Sequence, residues 1–429
     1  MKSVLMIAPY FLPRRRVGSL RPYKFAIHLK NKGWTPTILT IKDSSGELSE
    51  NEKKALEGVE IIEVSPPFDR TTSGKAKSSK KKESGLSKNS SLLDWFDRQI
   101  PMDSWIFLFM MKYRSIKKQV KDLDPDLVWS TGDPWSGHWL GNRLSTQLKK
   151  PWVADFRDPW TLTEMNLRGR SRFSASMDRL LEKKFVEQAD RLVFTSKNTE
   201  KVYSEHYSLS KKDTATIYNA FETGLQGISA EDWEATLDED HLNILFFGRF
   251  RRLSPAKPIA EILKEIGEKN PALVEKIRIH SFGEIEVEDM TLIEKYGLED
   301  QFVVQDPVLP EKAGSVLKKA DLLFLSTSMD RKNIIPAKLW DYLPVGKPIL
   351  SIAPNPEIKS ILEETGTGRQ FGVDQAEDIA QYLESVSAEK EKKGSVGIDQ
   401  QSDQKVEKYS AEQATNKLAK IMDKLTGHG

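Results

Sequence analysis

The chain has 429 residues, with 65 Lys and Arg against 63 Asp and Glu, a net charge of +2, and no cysteine. That length suits two or three domains at roughly 100–200 residues each. The charge balance argues against a dedicated nucleic-acid binder, and the missing cysteines exclude disulfides, thiolate catalysis and Cys-bound zinc.

Residues 4–8 form a continuous apolar run. The run is too short for a signal peptide and reads as a parallel strand buried on both faces. Residues 9–18 are a loop rich in Pro and Arg. Apolar residues then recur at helical spacing over 20–32, and 35–40 is a second strand. This strand–helix–strand order opens a parallel α/β sheet. A further strand is expected at 59–64.

Residues 70–91 carry almost no apolar side chain and read as a mobile basic loop. Residues 92–118 follow with Trp95, Trp105, Phe107, Phe109 and Met110. Strands are expected at 127–130, 152–155, 189–196 and 215–218. Residues 224–241 are polar and acidic and read as an interdomain linker. The alternation then restarts, with strands at 242–247, 276–280, 302–304, 322–325 and 348–352. Ser410-Ala-Glu-Gln413 is a capping box that opens a final helix over 411–425.

The expected fold is therefore α/β, with two doubly wound Rossmann-like sheets in tandem. The domains are 1–223, the linker 224–241, then 242–408, with 409–429 as the closing helix. The longest other apolar run, 105–111, is far shorter than the ~20 residues that span a bilayer. A cytoplasmic protein is expected, at most attached to a membrane surface.

Several familiar motifs are absent. There is no GxGxxG, no GxxxxGK[ST] and no GxSxG. A nicotinamide dehydrogenase, a P-loop enzyme and an α/β-hydrolase are therefore disfavoured. The six histidines show no metal-ligand spacing, so no metal is expected.

What remains is a set of polar loops at strand ends, where open α/β sheets bind ligands. In Pro13-Arg-Arg-Arg-Val-Gly18-Ser19 the glycine can bring backbone N–H groups to a phosphate; a surface loop with a turn glycine is the alternative. Asp133 follows one strand, and Asp155-Phe-Arg157-Asp158 closes another. That cluster is a functional group or an Arg–Asp clamp. Gly248-Arg249-Phe-Arg-Arg-Leu-Ser-Pro-Ala-Lys257 places four cations in ten residues, which suits a diphosphate or is a solvated basic loop. Asn333-Ile334-Ile335-Pro336-Ala-Lys338-Leu-Trp-Asp341 puts a helix start before a carboxylate that can accept from ribose hydroxyls; an ordinary exposed helix Asp is the alternative.

These residues resemble the family 4 glycosyltransferases, retaining enzymes with the GT-B fold. The most specific pieces are Ala154-Asp-Phe-Arg-Asp-Pro-Trp160, Ile217-Tyr-Asn-Ala-Phe-Glu222 and Pro336-Ala-Lys-Leu-Trp-Asp-Tyr-Leu-Pro-Val-Gly-Lys-Pro348. The resemblance implies two Rossmann-like domains facing a cleft, with the closing helix crossing back to the first. It implies that Gly18 and Ser19 approach the donor diphosphate, that Arg249 and Lys257 hold it, and that Val308 and Leu309 flank the nucleobase. Asp341 stands at the second acid of the family's EX7E pattern, and Asn333 replaces the first. Arg157 and Asp158 stand where many members have His-Asp.

The implied activity is metal-independent transfer of a sugar from a UDP- or GDP-sugar to a glycan or lipid-linked acceptor in bacterial surface polysaccharide synthesis. Asp158, Arg157 and Asp133 are the expected catalytic-side residues. Lys338 and the helix start at Pro336 add positive charge. No nucleic-acid partner is expected. Residues 92–111 and the run 75–82 are either a membrane-surface patch or a core helix beside a loop. A nucleotide-sugar epimerase of the same fold and a non-catalytic scaffold subunit are the alternatives.

Overall fold

The computed structural model describes residues 2–44, 46–66, 98–210, 213–222, 237–308, 312–398 and 401–427. The expected loop 70–91, most of the linker 224–241, residues 92–97 and Leu309 lie outside these. The chain divides into two compact units. The first is Met1–Tyr218 with Ala411–Gly429, and the second is Asn219–Ser410.

In unit 1 the strands are β1 (Lys2–Ile7), β2 (Trp34–Ile41), β3 (Glu60–Val64), β4 (Leu127–Gly132), β5 (Trp152–Phe156), β6 (Arg191–Phe194) and β7 (Thr214–Thr216). They form one sheet in the order β3-β2-β1-β4-β5-β6-β7. Every pairing is parallel. Every residue of β4 and β5 is buried, and each strand opens on an apolar run, Leu127–Trp129 and Trp152–Ala154, before its polar end. Helices on the sheet enclose a core that includes Trp135, Trp152, Trp160 and Phe156.

In unit 2 the strands are β8 (Leu242–Phe246), β9 (Ile277–Phe282), β10 (Phe302–Gln305), β11 (Leu322–Ser326), β12 (Ile349–Ile352) and β13 (Gly368–Phe371). Their order is β10-β9-β8-β11-β12-β13, again all parallel. A separate core surrounds Phe246, Phe250, Phe324 and Ile259. β13 was not expected, because Gly-Arg-Gln-Phe offers one apolar residue at the edge of the sheet. Thus the fold is the two-sheet Rossmann architecture read from the sequence.

The chain enters unit 2 at Asn219. There Phe221 already pairs with Ser410, and its N–H donates to the Tyr409 carbonyl at 3.4 Å. The closing helix Ala411–Leu425 belongs to unit 1. It buries Ala414, Leu418 and Met422. Lys2 and Lys32 pair with its Asp423 and Glu412.

The helix Trp105–Leu123 has one buried and one exposed face, so part of it packs in the core as the core-helix reading expects. Ile106, Phe109, Ile116 and Val120 are buried, while Phe107, Met110 and Met111 face solvent. No helix among the described residues is long and apolar enough to cross a membrane.

Candidate active site

Each sheet reverses its strand order once, between β1 and β4 in unit 1 and between β8 and β11 in unit 2. Crevices outside the carboxyl ends of such strands are where doubly wound folds bind ligands. Most of the residues singled out in the sequence fall at these two points.

In unit 1, β1 leads through residues 8–16 into the helix Val17–Leu29. No side chain caps this helix, and no acidic residue lies in its first turn. The Ser19 N–H turns back to the Arg16 carbonyl at 2.9 Å, and the N–H groups before it lie uncapped at the positive end of the helix dipole. The hydroxyl of Ser19, on the same turn, is fully buried and has no hydrogen-bond partner.

Arg157, just beyond β5, lies directly against Gly18. A Cβ on Gly18 would sit 2.1 Å from its Nη1. The glycine is needed for this close approach. Arg157 Nε pairs with Asp158 at 3.1 Å, Nη2 donates to the Asp133 carbonyl at 3.4 Å, and Nη1 is buried without a partner. Burial pushes the guanidinium pKa down. Asp158, Asp133 and Asp155 more than offset this and hold it above the ordinary value. Gly18, Ser19, Asp133, Arg157 and Asp158 are thus brought together.

The clamp reading of the β5 end also holds, but for a different pair. Asp155 is fully buried and accepts from Arg21 Nε at 2.7 Å and Nη2 at 3.3 Å. Arg21 also donates to the Tyr218 carbonyl at 2.9 Å. Arg21 was not anticipated; its signal was its place one turn after Gly18, on the helix face that meets the sheet.

The loop after Arg157 is fixed from behind. Glu182 is buried and accepts from the Thr161 backbone and hydroxyl and from the hydroxyls of Tyr203 and Tyr207. Asp103, also unanticipated, accepts from Ser136 N, Ser136 Oγ and Trp105 N, at 2.8, 2.7 and 3.0 Å. Burial pushes its carboxyl up to about 7 against those hydrogen bonds, with Asp133 adding to the rise.

In unit 2, Gly248 follows β8 with φ +121°, a conformation other residues rarely adopt. Lys338 packs on it, its Nζ 3.5 Å from where a Cβ would stand and 4.6 Å from the Phe246 ring centre. No carboxylate among the described residues lies within ion-pair distance of Lys338. Burial holds its ammonium down to about 8; the charges of Arg251 and Arg331 also lower it and Asp341 raises it. Arg251 is one of the four cations counted in the loop 248–257, and Arg331 is a cation that sequence reasoning did not single out. Tyr342 accepts from the Phe247 N–H at 2.9 Å and so ties the helix Ala337–Tyr342 to the end of β8.

The remaining assignments are less uniform. The Arg249 side chain is half exposed, 3.8 Å from Glu286, and its backbone abuts Gly283 at the end of β9. Lys257 opens the helix Lys257–Lys269, but that helix start is not free for a diphosphate. The N–H groups of Ala256 and Lys257 donate to Asp289 at 2.8 and 3.2 Å, and the Lys257 ammonium lies 3.6 Å from Glu261. The helix after Pro336 has six residues, so positive charge there comes from Lys338 more than from a helix dipole. Ile335 is buried, Asn333, Ile334 and Val308 are partly buried, and Asp341 is exposed.

Comparison with known proteins agrees with this architecture. Residues 85–225 match the family model described as Glycosyltransferase Family 4. No curated protein matches the sequence closely enough to count as a relative. Among solved structures, the chain is similar to sucrose-phosphate synthase from Thermosynechococcus elongatus, with 14% identity over 100% of both chains and a TM-score of 0.67. It is similar to a glycosyltransferase from Rickettsia africae, with 13% identity over 100% of this chain and 99% of that one, at 0.61. It is also similar to Anabaena HepE in complex with UDP, with 11% identity over 99% and 100%, at 0.60. The family match is thus confined to residues 85–225, about a third of the chain, while the two Rossmann-like sheets have the GT-B fold of these structures.

Proposed function

We propose that this chain transfers a sugar from a nucleoside-diphosphate sugar to a glycan or lipid-linked acceptor, with retention of anomeric configuration and without a metal. The observation that carries it is Lys338. A partly buried ammonium, packed on Gly248 at the switch point of unit 2, feels Arg251, Asp341 and Arg331, and no carboxylate among the described residues pairs with it. A diphosphate supplies the charge that this place lacks. HepE, which shares the fold, was solved with UDP.

Lys338, Arg251 and Arg249 hold the diphosphate from unit 2. Asp341, with Asn333, takes the ribose and donor-sugar hydroxyls, and Val308 lies by the base. The uncapped helix start, Ser19 and Arg157 of unit 1 bind anionic oxygens of the substrates, and Asp133 and Asp158 orient the acceptor. The bond from the anomeric carbon to the β-phosphate oxygen breaks, and the acceptor oxygen bonds to that carbon. The departing phosphate takes the acceptor's proton. Fixed cations stabilise the charge that grows on the leaving group. A cytoplasmic site and a role in surface polysaccharide synthesis are the expected setting.

The test is incubation with UDP- and GDP-sugars and bacterial lipid-linked glycans, following nucleoside diphosphate release and the anomer formed by NMR, with and without EDTA. Acceptor-dependent release, unchanged by EDTA and with the donor anomer retained, is expected. Acceptor-independent change of the donor sugar indicates an epimerase, and no release with any donor indicates a scaffold.

A further inference from the structure

The helix Trp105–Leu123 buries one face in the unit 1 core, and the other is left open by the described residues. On the open face Phe107, Met110 and Met111 are 57%, 58% and 62% exposed. Arg114, Lys118 and Lys121 are exposed further along the same helix. At 3.6 residues per turn these six positions fall in one sector about 100° wide and run for about 21 Å. The stripe is apolar at its start and cationic at its end. The whole helix has Asp122 as its one carboxylate against five cations.

Exposed Phe and Met side by side are unfavourable in water. A row of one charge sign, with no acidic residue in the stripe, selects an anionic surface. The cations have long aliphatic stems that can lie along an interface while their heads reach phosphates. Unbranched Met and Phe penetrate a fluid layer without needing a shaped pocket. A second helix, Arg172–Gln188, exposes Phe173 (69%) and Leu180 (63%) beside basic residues. It is locked to the approach of the first: the Met102 N–H donates to Asp178 at 2.6 Å, and Arg170 donates to the Ile100 carbonyl at 2.9 Å.

We propose that unit 1 docks on an anionic lipid surface through the stripe formed by Phe107, Met110, Met111, Arg114, Lys118 and Lys121. The helix lies in the interface plane and does not cross it. This rests on the surface of unit 1 alone, so a chain that binds no nucleotide still tests it.

The experiment is sedimentation of the full chain with vesicles of phosphatidylcholine alone, or with about 30 mol % phosphatidylglycerol. Binding to the anionic vesicles alone is expected, weakening with salt. It falls roughly a hundredfold in Arg114→Glu/Lys118→Glu/Lys121→Glu and at least about tenfold in Phe107→Ser/Met110→Ser/Met111→Ser. All six side chains are exposed, so both variants keep the parent melting temperature; if one does not, Met110→Asp alone replaces it. No binding by the parent chain, or equal binding by folded variants, overturns the proposal. So does a dimer in light scattering that both variants abolish, which assigns the face to a second copy.

Discussion

The guanidinium of Arg157 occupies the space that a side chain on Gly18 would need, with Nη1 2.1 Å from the ideal Cβ position. Arg157 sits at the positive end of a helix and carries an unused donor there. A cation at a helix start is unfavourable unless an anion joins it. Asp158, 3.1 Å from Nε, supplies one such charge, and Gly18 and Arg157 each constrain the other. Gly18→Ala is expected to destabilise unit 1 by about 1–3 kcal/mol through overpacking. In an Arg157→Ala background most of that cost disappears. Urea unfolding of the four-member cycle checks this; additive effects would contradict the contact.

Arg21 and Asp155 form the buried pair that holds the first helix to β5. Arg21→Met strands a carboxylate in the core and is expected to cost roughly 3–5 kcal/mol. Arg21→Met/Asp155→Leu recovers most of it, because no unpaired charge is left. Equilibrium unfolding is the measurement. A single-variant loss under about 1 kcal/mol would be inconsistent with a buried clamp.

Lys338 titrates near physiological pH because burial holds it down to about 8. Diphosphate binding that uses its charge weakens as pH rises through about 8, approaching tenfold per pH unit above that value. A bound anion opposes this by raising the pKa. Lys338→Arg is expected to flatten the profile between about pH 7 and 9.5, since a guanidinium stays charged. Titration calorimetry across that range reads the effect.

His138 in unit 1 and His280 in unit 2 are both buried and neutral. Burial holds His138 down to about 3, and burial with Arg278 holds His280 down to about 4, from 6.5. Depressed histidines leave stability intact above 6.5 and remove it as pH falls toward the folded values. Each contributes a loss of roughly 1.4 kcal/mol per pH unit in that window. His280 donates from Nε2 to Asn243 Oδ1 and accepts from Gln305 at Nδ1, at 2.9 and 3.2 Å. Gln at 280 keeps both kinds of bond and cannot charge. His280→Gln is expected to reduce the acid sensitivity of unit 2, followed by hydrogen exchange. An unchanged pH slope there would contradict a neutral buried imidazole.

The fold was legible because its information is local. Parallel strands buried on both faces must be mostly apolar, and β4, β5, β8 and β11 each carry enough apolar residues to be read. The edge strand β13 failed that test because it has little to bury. The site was legible only in parts. Loops with Gly and several Arg or Asp drew attention to Gly18, Arg157 and Asp158, which the structure brings together. Which arginine pairs with which carboxylate was not legible. Arg21 reaches Asp155 across 134 positions, while Arg157 takes its own neighbour Asp158. The helix start at Lys257 looked open because its cap, Asp289, lies 32 residues downstream. The lowered pKa of Lys338 comes from burial first and then from Arg251, which lies 87 residues upstream of it.

The most direct test of nucleotide-sugar chemistry is calorimetry of the full chain with UDP, GDP and ADP at neutral pH. One of the three should bind in the micromolar range. Its affinity should fall by more than about tenfold in Lys338→Met, and by much less in Lys257→Ala, whose ammonium faces Glu261. Absence of binding by all three nucleotides, or undiminished binding by Lys338→Met, would contradict a donor site at the end of β8.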